Sequence, residues 1–291
     1  MGDKIEMNTK NIKTAILAVL LIANIFFVYN IMRIKITAEN LPSEMIENAA
    51  AVLAKKGVAA EKSRIPTKKP VNFIYEGVYS ETLHEDIVRD FSGAAEEAVK
   101  MYVPAGISYT AGDCRFIFSD DDYFYISINI GGEAPESFPA REDGDSKKTE
   151  KIIGDFLKKY HKQDAKLSFK IIGEEENYII INQTAEGKPI DTHTAYVGIQ
   201  NGETAYFSGR WYFGELTTAA KKMPLLDSVN ILFKSVETDK NILTGERLKE
   251  MRVEYNLMTH GMEGFYIAPS WRLEFESGLA LSYNMITGNK N

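Results

Sequence analysis

A second cysteine is missing from this chain. Cys114 stands alone among 291 residues, so no intramolecular disulfide forms and the fold does not depend on an oxidising compartment. Histidine is nearly as scarce. His84, His161, His193 and His260 are scattered, and none has a second His or Cys at metal-ligand spacing. His84-Glu85-Asp86 lacks the second histidine of a HExxH zinc motif, and no P-loop, GxGxxG turn or GxSxG elbow is present. The acidic turns at 120–122 and 174–176 lack the interleaved ligands, glycine and closing glutamate of a calcium loop. The expectation is no catalytic residue, no bound metal, no cofactor and no enzyme.

Positive charge is also short. The net charge is −7, and residues 1–35 contribute +3 of it from five basic and two acidic side chains, which leaves −10 on the rest. A surface of that sign is repelled by nucleic acid and by anionic polymers. Nucleic acid is therefore not an expected partner.

Long apolar runs are absent except for one. Residues 14–32, TAILAVLLIANIFFVYNIM, hold nineteen positions without a charge. As a helix they would span about 28 Å, close to a bilayer core of roughly 30 Å. Bulky residues follow where a signal peptidase needs small ones, so the run reads as an uncleaved anchor. Lys4, Lys10 and Lys13 before it favour a cytoplasmic N-terminus. The expectation is a single-pass cell-membrane protein: a cytoplasmic tail over 1–13, a transmembrane helix over 14–32, and an extracytoplasmic ectodomain.

The ectodomain reads as α+β, in two units over 38–145 and 146–291, each built on antiparallel sheets. Residues 42–56 predict a helix capped by Ser43, with Ile46, Ala49 and Leu53 as its apolar stripe. Leu83, Ile87 and Phe91 predict a second helix, and Ala94, Ala98 and Tyr102 continue that pattern beyond Gly93. Strands are expected at 71–79, 106–111, 114–118 and 123–130. The Gly-, Pro- and Ser-rich segment 131–148 reads as a linker. In the second half, helices are expected around 152–160 and 225–236. Strands are expected at 166–172, 177–183, 190–199, 203–213, 248–256, 264–275 and 279–286, with a tight hairpin at Asn201-Gly202.

Two stretches stand out. AYFSGRWYFG (205–214) offers Tyr206, Arg210, Trp211 and Tyr212 as a possible groove for a peptide or glycan. APSWRLEFESGLALSYNMITG (268–288) contains Pro269, which directs Ala268 out of helix into a strand, Trp271 as a core anchor, and Gly288 at the end of the return strand.

With LLDSVNILFKSV and MRVEYNLM before it, this C-terminal stretch resembles the YycH/YycI type of regulators, and the single apolar run with about 290 residues is similar to YycI. The resemblance implies a non-catalytic, membrane-anchored accessory regulator of a two-component system in Gram-positive bacteria. Its implied partners are a WalK (YycG)-like sensor histidine kinase and a YycH-like paralogue, with cell-wall homeostasis as the output. Leu17, Leu21, Asn24, Val28 and Ile31 fall at 4-3-4-3 spacing, a seam for helix–helix contact with a partner in the bilayer. The alternative function is an extracytoplasmic module that binds a peptide or glycan.

Overall fold

The structure, a computed structural model, describes residues 17–29, 39–70, 73–78, 81–93, 98–104, 106–119, 122, 124–130, 146–159, 164–175, 178–219, 224–260 and 264–291. Two compact units interleave along the chain. One comprises Met1–Pro70, Asp227–Met251 and Phe275–Gly278; the other comprises Val71–Leu226, Arg252–Glu274 and Leu279–Asn291. The expected division at 145/146 follows a linker whose residues 131–145 lie outside the described residues.

The first unit is helical. The described residues 17–29 are helical and belong to α1. Among the described residues no helix is long and apolar enough to cross a membrane. The transmembrane helix expected over 14–32 is thus not seen among the described residues, and 14–16 and 30–32 lie outside them. Helix α2 (Ser43–Lys55) buries Ile46, Ala49 and Leu53 as its stripe requires. Ser43 is its first helical residue and not its cap; Pro42 holds the cap position at φ −58° and makes no side-chain hydrogen bond. Helix α5 (Ser228–Thr238) is capped by Asp227, whose carboxylate accepts from Asn230 N at 2.9 Å. Ser228 Oγ donates to Pro66 O at 2.7 Å. Helix α6 (Lys240–Leu243) follows directly.

The second unit is built on a sheet. Strands β1 (Tyr75–Val78), β2 (Val99–Val103), β3 (Gly106–Ala111), β4 (Cys114–Ser119) and β5 (Tyr125–Ile130) precede helix α4 (Ser146–Leu157), and α3 (Glu81–Ser92) lies between β1 and β2. After α4 come β6 (Leu167–Glu175), β7 (Tyr178–Ala185), β8 (Lys188–Gln200), β9 (Glu203–Arg210) and β10 (Thr217–Thr218), then β11 (Leu248–His260), β12 (Gly264–Phe275) and β13 (Ala280–Asn284). Tyr102, read as part of a helical pattern with Ala94 and Ala98, lies in strand β2, and Ala94 lies outside the described residues. Val99 and Val103 are β-branched, and β2 pairs with β3 in unbroken register from Val99↔Thr110 to Val103↔Gly106. Asn201 and Gly202, at φ 54° and 81°, form the expected tight turn between β8 and β9.

All these strands join one sheet of thirteen, ordered β10-β1-β12-β11-β8-β9-β5-β4-β3-β2, with β13 on β12 and β7 then β6 on β8. One pairing in it, Tyr255 of β11 with Ile190 of β8, is parallel. The fold is therefore mixed α/β on a single large sheet, not an anchor helix followed by two α+β units on separate antiparallel sheets. The reason lies in strand length. β8 is thirteen residues long, enough to hold β11 at one end and β9 at the other.

Helices α3 and α4 cover one face of β3–β5 and β7–β9. Ile87, Val88 and Phe91 meet Ile153, Phe156 and Phe207 there, and the Phe91–Phe156 and Phe156–Phe207 ring centroids lie 4.9 and 5.7 Å apart. Two glycines permit close approach. A Cβ on Gly209, at φ 154°, would overlap the Thr194 carbonyl oxygen and Ala195 Cα. A Cβ on Gly77 would overlap the Phe265 ring lying across it. Gly209→Ala is expected to lower stability by about 1–3 kcal/mol. Gly77→Ala should cost less, since a side chain yields more readily than backbone. Urea unfolding midpoints would rank the two.

Candidate functional site

Strand β9 sorts the aromatic run by parity. Tyr206, Ser208 and Arg210 alternate with Phe207, which faces the helices and is buried in their cluster. Past the strand, Trp211 and Phe213 join the same cluster. Tyr212 enters a second one with Tyr75, Tyr255 and Phe265. The Gln183 side-chain amide clamps this exit: Nε2 donates to Tyr212 O at 2.6 Å, and Tyr212 N donates to Oε1 at 3.0 Å. Trp211 and Tyr212 are 3% and 4% exposed. The four residues read as one groove are thus divided, with Tyr206 and Arg210 on the sheet face away from the helices and Trp211 and Tyr212 in the core.

That outer face carries more tyrosines than the run contains. Tyr206 lies between Asn129 of β5 and Gly198 of β8. Tyr196 lies between Ser208 and Ile180. The Tyr178 ring stands 6.3 Å from Tyr196 and 5.8 Å from Tyr206, centroid to centroid. Tyr125 pairs across from Arg210, and its hydroxyl is 2.8 Å from Ser208 Oγ. Tyr125 and Tyr196 are 39% and 42% exposed. Arg115, Ile117 and Met101 extend the face across β4 and β2, by their registers with Asn129, Ser127 and Ser108. The result is a broad face of tyrosines with Arg115, Ile117 and Met101, over the buried Ser108, Asn129 and Ser208.

On the helix side, Leu83, His84, Ile87, Phe118, Phe124 and Trp211 line a cavity of about 20 Å³, room for one water. Small-molecule sites run to roughly 300–1,000 Å³. Nearby, Arg210 Nε lies 3.3 Å from Asp122 Oδ2 and its guanidinium stands over the Phe124 ring. His193 is fully buried, its ring edge-on to Phe124 at 4.9 Å. Its Nδ1 is 3.4 Å from Asp191 O, and Nε2 has no partner. Burial first, and the charge of Arg210 second, push its pKa down to about 3, against the pull of the Asp191 carbonyl. Burial also pushes the Tyr212 and Tyr255 phenols up to about 12.

The C-terminal fingerprint is structural. Pro269 is not at the start of a strand but inside β12, which pairs with β1 over Gly264–Ile267 and with β13 over Ser270–Glu274. It sits where one partner ends and the next begins, so its missing N–H interrupts no ladder. Trp271 is buried, and its Nε1 donates to Leu226 O at 3.0 Å. Gly288, at φ 69°, donates to Asn284 O at 2.7 Å and turns the last residues back onto β13 through a Tyr283↔Lys290 bridge. Of the seam residues, Leu17, Leu21, Asn24 and Val28 lie on α1, and Ile31 lies outside the described residues. Asn24 Nδ2 donates to Leu20 O of its own helix at 3.0 Å.

Sequence reasoning missed a second polar group on β11–β13. Glu254, 2% exposed, lies 3.5 Å from Arg272, which also reaches Asp191 at 3.5 Å and Glu274 at 3.0 Å; Arg252 lies 2.6 Å from Glu274. Burial pushes the Glu254 carboxyl up, with Arg272 pulling against it. Both arginines are engaged by carboxylates, so the cluster is an internal ion network and not an acid–base pair. Its signal was present as polar residues at every second position: 252, 254 and 256; 270, 272 and 274; 282 and 284. The same period-two reading would have found Tyr125, Tyr178 and Tyr196.

No family model matches the chain, and no curated protein does. Among the solved structures that align with the chain are two of low similarity. An uncharacterized protein from Eubacterium rectale aligns at 12% identity and a TM-score of 0.44, over 77% of this chain and 87% of that one. The Bacillus megaterium YpeB C-terminal domain is a structural neighbour. It aligns at 12% identity and a TM-score of 0.35, over 74% of this chain and 96% of that one. The YycI-type resemblance is not confirmed by these comparisons, and at such scores neither neighbour speaks to function.

His193 makes stability pH-dependent with a definite sign. Its pKa is lower in the folded than in the unfolded state, so the unfolded chain binds the extra proton between about pH 6.5 and 3. This contribution to stability is complete above pH 6.5 and is lost as pH falls through that window. His193→Gln should flatten the dependence by on the order of 1–2 kcal/mol between pH 7 and 5, read from urea unfolding at each pH. Parallel curves for the two proteins would refute it.

Proposed function

We propose that this chain is a non-catalytic accessory regulator of the YycI type, which works by binding other proteins through the tyrosine face of its sheet. The observation that carries the proposal is the contrast between the two faces. The helix side has a cavity of only about 20 Å³. The outer side presents Tyr125, Tyr178, Tyr196 and Tyr206 beside Ser127 and Arg115, with Asn129 and Ser208 buried beneath them. Tyrosine gives large rigid contact area at low entropic cost together with a polar hydroxyl. Such a broad surface suits a macromolecule rather than a metabolite.

On this reading the folded chain works outside the cytoplasm. Its partners are a WalK (YycG)-like sensor histidine kinase and a YycH-like paralogue. The acidic chain, at net −7, does not attract nucleic acid. A second reading, capture of a peptide or glycan, is favoured by the exposure of the Tyr196 ring next to Tyr178, which leaves a π-face for stacking.

Co-purification of the full chain from native membranes in mild detergent, read by mass spectrometry, tests the proposal. A sensor histidine kinase should be retained by the wild type. The Tyr196→Ser/Tyr206→Ser variant should retain at least roughly tenfold less, with its thermal midpoint within a few degrees of wild type. Absence of a kinase, combined with saturable thermal stabilisation by wall glycan fragments, would replace the regulator reading with the ligand-binding one.

A further inference from the structure

The four ends of the branched sheet are not alike. Strand β13 is bridged by the returning C-terminal residues at Tyr283↔Lys290. Strand β6 is blunted by a register shift between Ile171 and Gly173, and Lys170, Glu174 and Glu175 stand exposed on it. Strand β10 is two residues long. These are ordinary protections against unwanted strand pairing. Strand β2 has none of them. It is five residues, VKMYV, paired with β3 without a register shift, and it contains no proline. Its one charge, Lys100, folds over the Tyr102 and Tyr109 rings at 5.6 and 5.7 Å. Val99, Met101 and Tyr102 are 58%, 48% and 75% exposed. Among the described residues no strand pairs with its outer edge.

We infer that β2 pairs antiparallel with β2 of a second copy of this chain, about a two-fold axis through Met101. The strand complements itself. Reversed about Met101, it sets Val99 against Val103 of the other copy and Lys100 against Tyr102. Apolar side chains then meet on one face, a cation meets an aromatic ring on the other, and no like charges are opposed. Each such pair occurs twice, as an isologous contact requires. The axis runs normal to the sheet. Both tyrosine faces therefore lie on one side of the joined sheet, and both helix layers lie on the other. The contact is small, so the dimer is weak, with a dissociation constant on the order of 10–100 µM.

Sedimentation of the full chain tests this, together with cysteine cross-linking in a Cys114→Ser background. Residues opposite one another across an antiparallel pair have Cα atoms about 4.5–5.5 Å apart, within reach of a disulfide. Met101→Cys should therefore give a covalent dimer on mild oxidation. Val99→Cys should not, because its twin lies four residues away, about 13 Å. Met101→Glu, which opposes two carboxylates at the axis, should weaken association at least roughly tenfold with an unchanged thermal midpoint. A wild-type monomer at about 200 µM would overturn the inference. So would equal cross-linking at 99 and 101, or a Met101→Glu variant that associates as well as wild type.

Discussion

Strand β8 holds two partners on one edge, and the arrangement depends on the backbone kink that lets it do so. Thr192 adopts φ 64°, a region that a β-branched residue seldom occupies. Before the kink Ile190 faces Tyr255 of β11, and after it Ala195–Gln200 pair with β9. Asn182 holds the bend. Its side-chain amide donates to Ile190 O at 3.0 Å and His193 O at 3.1 Å, replacing ladder bonds displaced where the β7–β8 register shifts between Asn182 and Thr184. The same kink takes His193 into the interior with Nε2 unpartnered. An unsatisfied buried polar group costs roughly 1–3 kcal/mol, and here it accompanies the geometry that fuses two sets of strands into one sheet.

From that fusion follows the asymmetry between the two faces. Helices α3 and α4 bring aromatic and branched side chains onto one side, where the rings of Phe91, Phe156 and Phe207 close the space down to a cavity of water size. The other side keeps the polar half of each strand. Its tyrosines come from four strands: Tyr178, Tyr196 and Tyr206 of β7, β8 and β9 meet because the registers bring them close, and Tyr125 of β5 joins through Ser208. A surface assembled this way is wide and shallow. The proposed role in binding proteins rests on that shape and composition, with no reactive group invoked.

Several elements were legible because they depend on local periodicity. The stripe of α2, the strand spans of β3–β9 and the Asn201-Gly202 turn all follow from spacing or from residues that tolerate positive φ. Others were misread for physical reasons. Tyr102 looked helical because Ala94, Ala98 and Tyr102 recur every four residues, yet β3 was available as a partner and Val99 and Val103 favour extended backbone. Ser43 looked like a cap because of its chemistry, but Pro42 already supplied the φ needed at that position. Residues 14–32 looked like a membrane span from hydropathy, whereas no helix among the described residues is long and apolar enough to cross. The run 205–214 looked like one site because its residues are neighbours in the chain, and the two-residue period of a strand separates such neighbours onto opposite faces.

By itself the sequence determined the absence of a disulfide, the acidic balance, the positions of most strands and which side chains share a face within each. Those properties depend on residue identity and on a repeat of two or four positions. Only the tertiary structure decided that the strands form one branched sheet with a parallel join at Tyr255 and Ile190, and that four tyrosines from four strands share an open surface. It also decided that Glu254 and Arg272 meet. Such contacts bring together residues tens to more than a hundred positions apart, and their partners are chosen by competition for edges and for burial, which no local pattern records.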